Sequence, residues 1–142
     1  MNKTQDVLVS IRGLQIDAVN SDDSIEVVTN GKFSKKNNKR YLRFEEVLDN
    51  DGITKNLLTF DEKSLELKRK GAMQLYMGFY ENQQTMTSYG TPFGNILVGV
   101  DTKKIQLFED DRRVRLSVDY ALALNHEHIA DCALTVDIEP QG

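Results

Sequence analysis

The sequence predicts an all-β fold, a single up-and-down barrel of about eight to ten antiparallel strands. Three observations predict it. From Val114 to Leu124 the apolar side chains Val114, Leu116, Val118, Tyr120, Leu122 and Leu124 hold every second position without a slip. That period puts them on one face of a strand, with Arg115, Ser117, Asp119, Ala121 and Ala123 on the other. Weaker alternation recurs from end to end between turn residues, and almost no stretch has a helical period. The connections read as successive short hairpins, with no long crossover of the kind a Greek key needs.

The first strand is expected from about Asp6 to Ala18, with Val7, Val9 and Ile11 on one face. Asn20 to Ser24 has turn composition. A second strand follows with Ile25, Val27, Thr29, Gly31 and Phe33 facing inward, Gly31 marking a bend or bulge. Lys35 to Arg40 is a hairpin tip, Tyr41 to Leu48 the third strand, and Asp49 to Gly52 a tight turn, because Asp-Gly readily supplies positive φ. Ile53 to Phe60 and Leu65 to Lys70 flank the polar turn Asp61 to Ser64; Met73, Leu75, Met77 and Phe79 then alternate. Asn82 to Gln84 leads into Thr85 to Tyr89, and Gly90 to Gly94 is a corner around Pro92. Ile96 to Val100 and Ile105 to Phe108 are read as two strands joined by a turn at Asp101 to Lys104. Glu109 to Arg112 precedes the long strand, Asn125 to His128 follows it, and Ala130 to Ile138 alternates in the last.

At 142 residues the chain fits one domain, residues 1–142, and can bury a core without cross-links. A net charge of −4 offers no global electrostatic case for nucleic acid or an anionic membrane, so neither is expected as a partner. The single Cys132 cannot form an internal disulfide, and the N-terminus does not read as a secretory segment; a reducing cytoplasm is expected. No window has the length of a membrane-spanning helix.

Four segments, Leu65-Glu-Leu-Lys-Arg-Lys-Gly71, Tyr89-Gly-Thr-Pro-Phe-Gly94, Asp101-Thr-Lys-Lys-Ile105 and Val118-Asp-Tyr-Ala-Leu122, carry a resemblance to an uncharacterised bacterial family. These are the YwiB-like proteins, grouped by shape with the calycins and lipocalins. The resemblance covers most of the chain after residue 60 and implies a lipocalin-like barrel; it implies no activity. The chain departs from secreted lipocalins in having no Trp and no pair of cysteines, so transport of an extracellular hydrophobe does not carry over.

The candidate site residues come from strand parity. Leu42, Phe44, Glu46 and Leu48 share a face, so Glu46 points inward if that face lines the barrel. A carboxylate there must be paired, wet or protonated, and Arg69 and Arg12 are the candidate partners. Arg69 follows Leu65 and Leu67 in parity and could bind a carboxylate or phosphate. With Tyr89 these residues make a candidate polar contact set for a small, partly apolar ligand in the barrel mouth or interior. The alternative is a protein- or RNA-interaction surface at Lys35, Lys36, Lys39 and Arg40. That tip, Asp101 to Lys104 and the His126 turn would share the more basic end, with Glu109 to Arg113 opposite. His126, His128 and Asp131 have metal-ligand chemistry but read as a solvated turn, so no metal is expected. No phosphate loop, dinucleotide fingerprint or nucleophile elbow is present, and neither a cofactor nor catalysis is expected.

Overall fold

In the computed structural model of the protein, residues 4–14, 25–48, 52–71, 74–91 and 93–141 are described. They form ten strands and no helix: β1 Gln5–Leu14, β2 Ile25–Lys36, β3 Lys39–Leu48, β4 Gly52–Phe60, β5 Ser64–Lys70, β6 Gln74–Tyr80, β7 Gln83–Thr91, β8 Gly94–Glu109, β9 Val114–Leu124 and β10 Glu127–Pro140. Every strand pairs antiparallel with its neighbours in one sheet of order β6-β5-β4-β3-β2-β1-β10-β9-β8-β7. The sheet curls until its edge strands β6 and β7 lie side by side. They are joined there by a hydrogen bond from Thr85 Oγ1 to the Gly78 carbonyl, 2.7 Å, instead of a ladder. The result is a nearly closed up-and-down barrel. The expected turns at Asn20 to Ser24 and Asp49 to Asp51, the β1 extension to Ala18, and Pro92 lie outside the described residues.

The long alternating strand behaves as its period requires. In β9 the even-numbered residues Val114 through Leu122 are buried, while Arg115 and Asp119 are exposed. Tyr120 meets Phe79 edge to face with ring centroids 5.0 Å apart, tying β9 to β6 across the core. Gly31 faces inward where a Cβ would come within 3.0 Å of Val9 Cγ2, so the barrel wall approaches the core most closely there. Gly13 sits at a β1 irregularity with φ 81°, and a Cβ would collide with the Ala133 carbonyl.

The expected turn at Asp101 to Lys104 is not a turn. β8 runs unbroken from Gly94 to Glu109, and its register against β9 shifts between Thr102 and Lys104. Lys103 is the extra residue of a bulge. A turn and a bulge interrupt alternation in the same way, which is why the sequence misleads here. Before the bulge the buried positions are even, Val98, Val100 and Thr102; beyond it Ile105 is buried and Leu107 packs against the core. Glu81 Oε2 accepts the Ile105 N–H at 2.9 Å, and the Thr102 carbonyl accepts the Asn82 N–H at 2.9 Å, so the β6–β7 connection fixes the bulge.

Losing that turn reassigns every later connection. The Lys35–Arg40 tip shares its end of the barrel with Asp61 to Lys63, Glu81–Asn82, Asp110 to Arg113 and the chain's described termini; the Asn125–His126 turn lies at the far end. This corrects the expected arrangement, in which Glu109 to Arg113 and His126 were exchanged.

The parity change also sends Glu109 inward, to Arg40. Arg40 is only 6% exposed. Its Nε donates to Glu109 Oε2 at 3.2 Å, its NH2 to Oε1 at 3.0 Å and its NH1 to the Asn38 carbonyl at 2.8 Å. Lys35 Nζ adds a bond to the same carboxylate at 3.0 Å. The Arg40 guanidinium, and secondarily Lys35, hold the Glu109 carboxyl below its ordinary value of 4.5. A carboxyl lowered in the folded state stabilises above its unfolded value and loses that contribution as pH falls through its folded value. Glu109→Gln should therefore lower the melting temperature at pH 7 and flatten its decline below about pH 4.5. Thermal unfolding of both proteins from pH 7 to pH 3 measures this; parallel curves would show that the pair does not couple to folding.

Candidate functional site

The barrel wall is not continuous. The β2–β3 ladder ends at the pair Lys32 and Arg43, whereas the β3–β4 ladder continues to Leu48 and Gly52. Beyond Arg43, β3 thus pairs on one side only. The inward row of β3 reads Arg40, Leu42, Phe44 and Glu46, so the carboxylate falls where the wall opens.

Glu46 is met there by two partners. Asn56 of β4 donates from Nδ2 to Glu46 Oε1 at 2.9 Å, and Arg69 NH2 of β5 lies 3.3 Å from the same oxygen. Asn56 and Arg69 are cross-strand neighbours, which places both over the carboxylate. The Glu46 and Arg69 side chains are 18% and 17% exposed, and Asn56 is 3% exposed. This is the expected inward Glu46 with the first of its expected partners; Arg12 instead reaches Asp137 at 3.6 Å. Asn56 Oδ1 is buried with no hydrogen-bond partner among the described residues. Sequence parity could have found Asn56, which alternates with Thr54, Leu58 and Phe60, but an Asn in an apolar row carries no specific signal.

The cluster separates two spaces of very different size. Inside, Glu46, Asn56 and Arg69 border a void of about 10 Å³ against Phe44, Leu58 and Phe79. That is room for about one water molecule. Outside, Asn56 and Arg69 border an open groove of about 1200 Å³. Its floor is the outer face of β3 to β6, and it reaches from Asp6 and Gln141 to Thr87 and Ser88 of β7. One row of cross-strand neighbours spans it: Lys32, Arg43, Leu57, Lys68 and Tyr76. The side chains of Leu57 and Tyr76 supply apolar surface.

The remaining expected residues fall elsewhere. Tyr89 pairs through its backbone with Ile96 in β7, and its side chain lies outside the described residues. At the Lys35–Arg40 tip, Arg40 and Lys35 are committed to Glu109, and Lys39 lies 3.5 Å from Asp61. Lys36, the fourth residue of that patch, is exposed and makes no ion pair among the described residues. Asn125 and His126 form the two-residue turn between β9 and β10 with φ 49° and 71°, and His128 Nε2 lies 3.1 Å from Asp131 in solvent. Among the described residues no three His, Cys, Asp or Glu side chains converge as metal ligands. Burial pushes the Cys132 thiol above its ordinary value, against a hydrogen bond with Tyr120 that pulls it down, so it stays protonated at neutral pH.

Removing one charge from the Glu46–Arg69 pair should cost more than removing both. Arg69→Met is expected to destabilise by about 1–3 kcal/mol, since it leaves a half-buried carboxylate without its cation. Adding Glu46→Leu should recover much of that loss. Urea unfolding of the two single variants and the double variant measures the coupling, and additive losses would remove the pair from the account.

Comparison with known proteins agrees with this architecture. The family model described as a domain of unknown function, DUF1934, matches residues 9–136. The uncharacterised β-barrel protein YwiB of Bacillus subtilis (strain 168) is 28% identical over 130 residues, which cover 87% of this chain and 91% of that protein. A crystal structure of the ywiB protein from Bacillus subtilis superposes with a TM-score of 0.72 at 23% identity, over 99% of this chain and 94% of the other. At that identity the superposition establishes the fold. The chain is thus a homologue of YwiB and belongs to the DUF1934 family of β-barrel proteins, whose function is unknown.

Proposed function

We propose that the protein is a non-enzymatic, cytoplasmic binding protein, and that it takes a small, partly apolar ligand with an anionic group into the outer groove at the β2–β3 opening. The observation that carries this reading is the contrast between the two spaces beside Arg69, about 10 Å³ inside and about 1200 Å³ outside. Ligand sites commonly hold about 300–1000 Å³. Phe60, Phe79, Met77, Tyr120 and Leu116 are buried in the interior, and a void of about 10 Å³ there is too small for a ligand. The groove offers apolar contact on Leu57 and Tyr76 beside the cations Arg43 and Lys68.

Binding without chemistry fits the groups present. Glu46 is engaged by Asn56 and Arg69, and no activated nucleophile stands beside them. A single cysteine, Cys132, which can form no internal disulfide, fits a reducing compartment.

The probe 1-anilinonaphthalene-8-sulfonate, apolar with one negative charge, tests the reading under native conditions. Backbone amide resonances of Lys55 to Leu57 and Lys68 to Tyr76 should shift saturably, and Arg43→Glu with Lys68→Glu should weaken binding about tenfold. Shifts confined to Leu116, Val118 and Leu122 would place the ligand in the core, and no saturable shift would reject the groove.

A further inference from the structure

We infer that the natural occupant of the groove is a single-stranded nucleic acid segment, held by its phosphates on the cations and by a base on Tyr76. This rests on the groove being the binding site, as proposed above, and names the ligand class.

Charge is the first argument. Six cations line the groove, Lys32, Arg43, Lys55, Lys68, Arg69 and Lys70, against the two acids Asp6 and Glu45. The whole chain carries −4, so the groove is a positive island on an otherwise acidic molecule. Lys32 is paired with Asp6 and Arg69 with Glu46. Arg43, Lys55, Lys68 and Lys70 make no ion pair among the described residues, whereas Lys35, Lys39 and Arg40 at the terminal end of the barrel are paired with Glu109 and Asp61. Four cations left open side by side repel one another, and an anion of several charges relieves that repulsion better than a single carboxylate does.

Shape is the second. The cations sit on three adjacent strands in cross-strand register, Arg43 beside Leu57 and Leu57 beside Lys68, and in the next row Glu45 beside Lys55 and Lys55 beside Lys70. They form a track across the sheet rather than a socket. A groove of about 1200 Å³ has room for an extended chain.

The third is a positioned ring. Tyr76 continues the row from Lys68 and is 36% exposed. Its hydroxyl lies 3.1 Å from that of Tyr80, which in turn donates to Glu66. Between the two rings, Gly78 leaves the space that lets them lean together; a Cβ there would come within 2.8 Å of the Tyr80 ring. An aromatic ring fixed on an open sheet face beside a cation track is how sheet-surface modules hold unpaired bases. Duplex recognition needs an element that enters a groove, and this flat face has none.

Fluorescence anisotropy of a labelled twelve-nucleotide oligouridylate, against the same length of polyglutamate, tests the inference. The oligonucleotide should bind saturably with a log K against log salt slope of about −3, as four released counterions on a single strand require. Arg43→Glu with Lys68→Glu should weaken it more than tenfold, Tyr76→Leu about fivefold with the slope unchanged, and Lys36→Glu on the Lys35–Arg40 tip not at all. Equal or tighter binding of polyglutamate, indifferent to Tyr76→Leu, would overturn the inference in favour of an acidic protein partner. Saturable binding of the anilinonaphthalene probe without the oligonucleotide would overturn it while leaving the groove as a small-ligand site. Failure of both would remove the groove itself.

Discussion

The single extra residue at Lys103 sets what the inside of this barrel can be. Strand side chains alternate strictly, so without the bulge Glu109 would face solvent and Arg40 would stand in the wall with no carboxylate. An unpaired guanidinium that deep is costly, and its bidentate pairing with Glu109 is what makes the position tolerable. The inward row of β3 then runs from a neutralised cation at one end, through Leu42 and Phe44, to a neutralised carboxylate at Glu46. Apolar layers from β9, β10 and β1 fill the space between these two polar closures.

A filled interior leaves the exterior as the face on which the proposed ligand would meet the barrel. The wall opens where β2 leaves β3, yet Glu46, Asn56 and Arg69 close the core behind the opening, so the outer sheet face becomes the accessible surface. On that face the two ends of the molecule differ in kind. At the terminal end, Glu109 and Asp61 meet Lys35, Lys39 and Arg40 of the β2–β3 hairpin and offset their charge. Across β3 to β5 the cations stay open. Unbalanced charge in one place on an acidic chain is a stronger indication of a partner than the same residues scattered.

Period-two patterning made much of the fold legible. β9 with its inward even residues, the hairpin at Asn125–His126 and the absence of helix all follow from side-chain alternation and turn chemistry. Parity likewise offered an inward Glu46 with Arg69 and Arg12 as candidate partners, and the ladder register brings Arg69 to it. Two things were hidden. A bulge and a turn disrupt alternation alike, so Asp101 to Lys104 was misread, and with it which connections share an end. The groove was invisible for a different reason: Arg43, Lys55 and Lys68 are far apart in sequence, and only the ladder register makes them neighbours. The cations Lys35, Lys36, Lys39 and Arg40, close in sequence, drew attention to the hairpin tip, where three of the four are paired with carboxylates.

The central claim is that this barrel has a packed, doubly closed interior and recognises its ligand outside. The most direct measurement is a titration with 1-decanol, uncharged and apolar, followed through the methyl resonances of Leu116, Val118 and Leu122, which line the core. The account predicts no saturable change in these methyls while the protein remains folded. A saturable shift at one site among them would show that the core opens to a ligand, and would contradict it.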